Sequence, residues 1–341
     1  MKLLVDAERA EEREIVGSQA ALALMQSHVG HLLARSLQAG IQLGFFNALA
    51  GAPATADEVA ASCKTNLRAT TALLDVLATT DYATCIRDRY ALTDLGRTWL
   101  VAGKADYVRI GLLEWEWHAQ LEGFLRSDRG IDIHRNMTAE NWRIYEEAMS
   151  AAAHLWMPFF VDFVPIPEGP CTLLDIGGGH GHLSVLLCRK YPQLRAVVVD
   201  LPGAVQASAP LLAADGMGDR VVHLVGDART TDFGEGIYDV VAEAGLNHVL
   251  SGDENADLVK RAARALRPGG HHVLIDTYME PHTSLGGQAY AFIAMLMALI
   301  CNSTLWSPKQ MAEWQRAARL EPLPALDALP GMALQIARKP L

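Results

Sequence analysis

Leu173-Leu-Asp-Ile-Gly-Gly-Gly-His-Gly-His-Leu183 places four glycines within five positions, after one short apolar run and before another. An apolar run of that length suits a strand covered on both faces, and glycines directly behind it let the backbone turn and approach a ligand closely. The ligand follows by elimination. A dinucleotide turn needs Gly-x-Gly-x-x-Gly. Counted from Gly177 the last position holds His182, and counted from Gly179 it holds Ser184. No Gly-Lys-Ser/Thr follows, so a phosphate-cradling P-loop is excluded as well. What remains is Asp175-x-Gly177-x-Gly179-x-Gly181, with Gly178 inside it: an acid near the strand end, then a bare turn for a ligand without phosphates.

Working outward, strand and helix patterns alternate. Leu173 to Ile176, Ala196 to Val199, Val221 to Val225, Val240 to Ala242 and His272 to Ile275 read as short buried strands separated by helices. That alternation predicts an α/β fold with a doubly wound parallel sheet. Asp200, in Val197-Val-Val-Asp-Leu201, ends the second strand 25 residues after Asp175. A carboxylate there presents two acceptors to the two hydroxyls of a ribose. Asp227, in Gly226-Asp-Ala228, ends the third, where it can face an adenine amino group. Three acids at successive strand ends make a binding edge on the carboxyl side of the sheet.

The chain has 341 residues, half of them apolar and a fifth charged, with a net charge of -10. It holds a sizeable core, and its acidity opposes nucleic acid or an anionic membrane as partner. Cys63, Cys85, Cys171, Cys188 and Cys301 are odd in number and never in a Cys-x-x-Cys pair, which suits free buried thiols in a reducing cytoplasm. The early acidic residues of Met1-Lys-Leu-Leu-Val-Asp-Ala-Glu-Arg9 oppose a signal peptide. The longest apolar run, Ala289 to Cys301, is too short to span a bilayer and reads as a buried methionine-bearing helix.

Residues 1–105 pattern as helices followed by a small strand pair over Tyr82 to Leu92, the outline of a winged helix. Thr55-Ala-Asp-Glu58 is a capping box, a helix follows from Leu67 to Ala78, and Thr93 can cap another. Leu67 to Ala78, in the position of a recognition helix, carries one arginine, one aspartate and a broad apolar face, too little to read base edges. A homodimer is the expected use of such a domain. Residues 106–165 read as an aromatic-rich helical linker, and Pro165, Pro167, Gly169 and Pro170 mark the boundary to a domain over 166–341.

Taken in order, Ala39-Gly-Ile-Gln-Leu-Gly-Phe-Phe-Asn-Ala-Leu49, Tyr90-Ala-Leu-Thr-Asp-Leu-Gly96, Leu174-Asp-Ile-Gly-Gly-Gly-His-Gly181, Val199-Asp-Leu-Pro202 and Ala265-Leu-Arg-Pro-Gly-Gly270 resemble the S-adenosylmethionine-dependent small-molecule O-methyltransferases of secondary metabolism. The resemblance covers nearly the whole chain. It implies an N-terminal winged-helix dimerisation domain and a Rossmann-like catalytic domain whose last strand is antiparallel. It also implies that Gly177 to Gly181 cradle the methionine part of the cofactor, that Asp200 with Leu201 takes the ribose, and that Gly226, Asp227 and Ala228 lie at the adenine. S-adenosylhomocysteine is then the product.

Displacement at a sulfonium methyl requires alignment and, for a hydroxyl acceptor, removal of a proton. His248, in Gly245-Leu-Asn-His-Val-Leu250 just past the fourth strand, is the candidate base, and it sits where the family carries one. Asp276 falls where the family places a glutamate that orients the base. Two departures thin this apparatus: Val249 stands where an aspartate often follows the histidine, and Leu305 where many members carry a second glutamate. C- or N-methylation, a non-methylating use of the cofactor, and a ligand-sensing winged-helix regulator are the alternatives. Met149, Trp156, Phe292, Met295 and Asn302 are the candidates for binding an aromatic or polycyclic acceptor. One or both of His180 and His182 are expected to face solvent, and since nothing in their spacing demands a metal, none is assigned.

Overall fold

A computed structural model describes residues 19–101, 105–278 and 285–341. They form two compact units, one up to Leu112 and one from Leu113 onward.

In the first unit, helices α1 (Gln19–Gln42), α2 (Ala56–Cys63) and α3 (Leu67–Ala78) precede strands β1 (Ala83–Ile86) and β2 (Arg89–Leu92). Local chemistry sets these limits. Thr55 and Glu58 cap each other's backbone N–H groups reciprocally at the start of α2, Asn66 caps α3, and Thr93 caps α4 (Asp94–Trp99). Arg87 and Asp88 both have positive φ, 50° and 60°, giving the two-residue turn whose twist matches an antiparallel hairpin. Phe45, Phe46, Leu49, Val59, Leu74, Leu77 and Leu92 fill the core. Gly96 is dictated by packing, because a Cβ there would lie 2.1 Å from the Tyr82 carbonyl oxygen.

The second unit is built on a mixed sheet in the order β5-β4-β3-β6-β7-β10-β8, with β9 also pairing β10. Its strands are β3 (Cys171–Ile176), β4 (Leu194–Asp200), β5 (Val221–Val225), β6 (Tyr238–Ala244), β7 (Leu266–Thr277), β8 (Glu321–Pro322), β9 (Leu326–Leu329) and β10 (Met332–Arg338). The first five in chain order are parallel, and β10 runs antiparallel to β7. Each of the five expected strands is present and extends beyond its apolar centre, except β5, whose limits coincide. Strand order reverses between β3 and β6, and a crevice opens beyond the carboxyl ends of strands at such a point. Leu173, Leu174 and Ile176 are fully buried, consistent with cover on both faces.

The boundary between the two units falls at 112/113, a few residues past the expected end of the first domain at 105, and Pro165 to Pro170 lies inside the second. The reason is packing: α5 (Ala139–Trp156) lies across α7 (Pro202–Ala214), with the Trp142 indole against Gly203, where a Cβ would come within 2.2 Å of Nε1. The apolar run ending at Cys301 does form a helix, α9 (Leu285–Cys301), but from residue 290 onward it is buried on one side only. Met297, Leu299 and Ile300 turn inward, whereas Phe292 is 76% and Met295 45% exposed. A run that is apolar all round has no period to reveal which face turns outward.

Candidate active site

Beyond β3 the chain takes positive φ at Gly177 (68°), Gly179 (54°) and Gly181 (83°). Gly177 N–H donates to the Val199 carbonyl, 2.8 Å, tying the turn to β4. A Cβ on Gly178 would lie within 2.9 Å of all three carboxyl atoms of Asp175. The loop is therefore bare for two reasons, left-handed backbone at three positions and a carboxyl directly beneath the fourth. Helix α6 (His182–Lys190) follows, and its Ser184 hydroxyl donates to Asp175 Oδ2, 2.7 Å.

The strand-end acids converge on this loop. Asp200 accepts from Gly179 N–H at 2.8 Å and from Leu201 N–H at 2.7 Å. Asp227 accepts from Arg229 N–H at 2.8 Å, while the Arg229 guanidinium is held by Glu254 at 2.9 Å. All ten residues assigned from sequence to the cofactor line one cavity except Gly181, which is buried beneath it.

Sequence reading missed a further acid. Glu146 projects from α5 into the same cavity and accepts from the Ser208 hydroxyl, 2.8 Å. Burial, with the Asp200 charge added, pushes its carboxyl up to about 8. Burial raises Asp175 to about 6 against the opposing Ser184 hydrogen bond, and raises Asp200 despite its two N–H donors. Three crowded carboxyls, each above its ordinary range, describe a pocket that suits a cation. The signal available in the sequence was a single acid on the apolar side of an amphipathic helix.

His248 sits on a short 3₁₀ turn over Asn247–Val249. Its Nδ1 lies 2.6 Å from Asp276 Oδ1, and its backbone N–H donates to Asp276 Oδ2 at 3.0 Å. Thr277 N–H also donates to that carboxylate, 2.7 Å. Burial favours the neutral ring, but the Asp276 charge and hydrogen bond outweigh it, so the imidazole is more basic than usual. With Nδ1–H committed to Asp276, Nε2 is the acceptor. Beneath the turn, buried Asn247 donates to Glu243 at 2.6 Å and to Asn255 at 2.8 Å, and Glu243 pairs with buried His272 at 2.9 Å. This buried network beneath the His248 turn ties it to β6 and β7 through the Asn247 amide N–H groups and Glu243, with Asn247 Oδ1 left without a partner.

Of the expected acceptor residues, Met149 and Trp156 line the cavity beside Trp142, Tyr145 and His134. Phe292, Met295 and Asn302 do not. The two apolar side chains lie on the outward face of α9, and Asn302, at φ 54°, spends its carbonyl on Gly130 N–H. Val249 lines the cavity, and Leu305 is buried. His180 and His182 are each 4% exposed, so the expectation that one or both face solvent is corrected: α5 covers them.

A bare loop at the carboxyl edge of a doubly wound sheet, acids at successive strand ends and a histidine–aspartate pair define a methyltransferase. The chain belongs to the O-methyltransferase family: the family's O-methyltransferase domain matches residues 132–315 and its dimerisation domain residues 25–102. It is 26% identical over 296 residues to a 3-hydroxy-5-methyl-1-naphthoate 3-O-methyltransferase of Streptomyces sahachiroi, covering 83% of this chain and 85% of that protein. It is 26% identical over 287 residues to the N,N-dimethyltransferase OxyT of Streptomyces rimosus, covering 77% and 80%. Its fold matches human N-acetylserotonin methyltransferase in complex with S-adenosylmethionine at a TM-score of 0.84, with 17% identity over 95% of this chain and 99% of that one. The cofactor is S-adenosylmethionine, and the residues present fit it: a loop that any Cβ would fill, and uncompensated carboxyls for a cationic ligand.

Proposed function

We propose that the chain O-methylates a hydroxyl on an aromatic or polycyclic small molecule, with His248 as general base and Asp276 as its positioning partner. Bound S-adenosylmethionine supplies a methyl group activated on a sulfonium. Gly177 to Gly181, Asp200, Leu201 and Gly226 to Ala228 hold the cofactor, and Met149 and Trp156 with Trp142 and Tyr145 sandwich a flat acceptor and exclude water. His248 Nε2 accepts the hydroxyl proton, and the Asp276 carboxylate stabilises the resulting imidazolium without taking the proton itself. The relative named for a hydroxynaphthoate directs the search toward hydroxylated aromatic acids. Residues 25–102 carry the homodimer, and with no paired cysteine the chain suits the cytoplasm. No helix among the described residues is long and apolar enough to cross a membrane.

The observation that carries this reading is the 2.6 Å contact between His248 and Asp276 at the cavity wall. His248→Ala should lower kcat by about 10²–10⁴-fold on a hydroxylated acceptor, and Asp276→Asn, which forces the wrong tautomer, by a comparable factor. N-methylation is the second reading, favoured by the N,N-dimethyltransferase relative and by Val249 and Leu305 standing where further acids are common. An amine acceptor that is turned over almost equally well by His248→Ala would establish it in place of the first.

A further inference from the structure

The packing of α5 over the glycine loop gathers three histidines from separate segments. His154 comes from the last turn of α5, His180 from the loop itself and His182 from the first position of α6. One ring nitrogen from each lies within 4.8 Å of the others. Ring centroids are 3.8 Å apart for His154 and His182, 5.3 Å for His180 and His182, and 5.7 Å for His154 and His180.

The nitrogens are prepared in different ways. His180 Nε2 and His182 Nδ1 are buried and make no hydrogen bond, a costly state for a polar atom that no ligand occupies. His154 Nδ1 lies 2.7 Å from the Ser150 carbonyl, so it carries the proton and leaves Nε2 with its lone pair. A backbone carbonyl fixing the tautomer in this way is the usual outer support of a metal-bound imidazole.

We propose that His154, His180 and His182 form a site for one divalent transition-metal ion of the zinc type. Three imidazoles with no carboxylate or thiolate suit zinc, cobalt, nickel or copper, and not magnesium or calcium, which take oxygen ligands. Tetrahedral coordination at about 2.0–2.1 Å brings ligand nitrogens to about 3.4 Å from one another. Small shifts of the three side chains, with the Ser150 bond to His154 kept, would supply that contraction, and the exposure of His154 gives the ion a path in. Three protein ligands leave a fourth position open, and since His180 and His182 both line the cofactor cavity, a water or an oxygen ligand from that cavity completes it.

The ion is independent of the methyl-transfer reading, because its binding is measured without cofactor or acceptor. Tag-free full-length chain, stripped with a chelator, is titrated calorimetrically with Zn²⁺ and spectroscopically with Co²⁺, whose visible bands report tetrahedral nitrogen ligation. One ion per chain with a dissociation constant in the micromolar range or below is expected, and His154→Ala and His182→Ala should each weaken it by about 100-fold. His154 is exposed, so its variant keeps the fold, which far-ultraviolet circular dichroism verifies. Binding no tighter than about 10⁻⁴ M overturns the proposal, as does tight binding that both variants leave unchanged.

Discussion

Binding of S-adenosylmethionine should expel a proton from Glu146. In the cofactor-free protein its carboxyl titrates at about 8, so at pH 7 it is roughly nine-tenths protonated. An opposite charge brought within a few ångströms lowers a carboxyl by about 1–3 pKa units. A drop of about two leaves it about one-tenth protonated, and about 0.8 proton per chain is released on binding at pH 7. Asp175, at about 6, is already mostly ionised at that pH and adds only about 0.1. Calorimetric titration in two buffers of different ionisation enthalpy reads this number from the difference in apparent heat. At pH 9 the release should fall to about 0.1, and in Glu146→Gln it should be about 0.1 at pH 7 as well. The same group sets a stability slope. Its folded pKa lies above its unfolded value of 4.5, so its contribution is complete below pH 4.5 and is lost as pH rises to about 8, by up to ~5 kcal/mol. Cofactor-free Glu146→Gln should lack that slope in denaturant unfolding. Heats that do not depend on buffer at pH 7, or an undiminished release in Glu146→Gln, would refute the assignment of a protonated Glu146 to the cofactor pocket.

Asp200→Ala removes the acceptor of Gly179 N–H and Leu201 N–H together with the expected ribose contact, so calorimetry should register at least a tenfold loss of S-adenosylmethionine affinity, about 1.4 kcal/mol. An affinity equal to wild type would remove Asp200 from the site. Gly203→Ala sets a methyl 2.2 Å from Trp142 Nε1 and should destabilise the second unit by about 1–3 kcal/mol, read as a lowered Tm; an unchanged Tm would mean that α5 is not seated on α7 as described.

The glycine loop, Asp175, Asp200 and Asp227 were legible because everything they need is local. A strand-ending acid and a turn with positive φ are properties of five to ten consecutive residues, and elimination among known turns needs only spacing. His248 was singled out because it follows a strand end on the same edge, and Asp276 because it falls where the resembled family places an orienting glutamate; the fold brings the two side chains within 2.6 Å. The outward facing of Phe292 and Met295 was not legible because α9 is apolar all round, and nothing in a uniform run says which side meets the core. The placement of Asn302 was not legible because a positive φ and a hydrogen bond with Gly130, 172 residues earlier, leave no trace in its neighbours.

By itself the sequence determined the alternation of strands and helices, the bare turn and the acids that edge the sheet, all of them consequences of local period and residue chemistry, while the cofactor class came from the resemblance of the ordered motifs to a known family. Only the tertiary structure decided what α5 does. It seats Trp142 against Gly203, drives Glu146 into the acids of the cofactor cavity and carries His154 to His180 and His182. Those meetings depend on the angle and depth at which one helix crosses another, and that geometry is settled by side-chain packing between segments tens of residues apart.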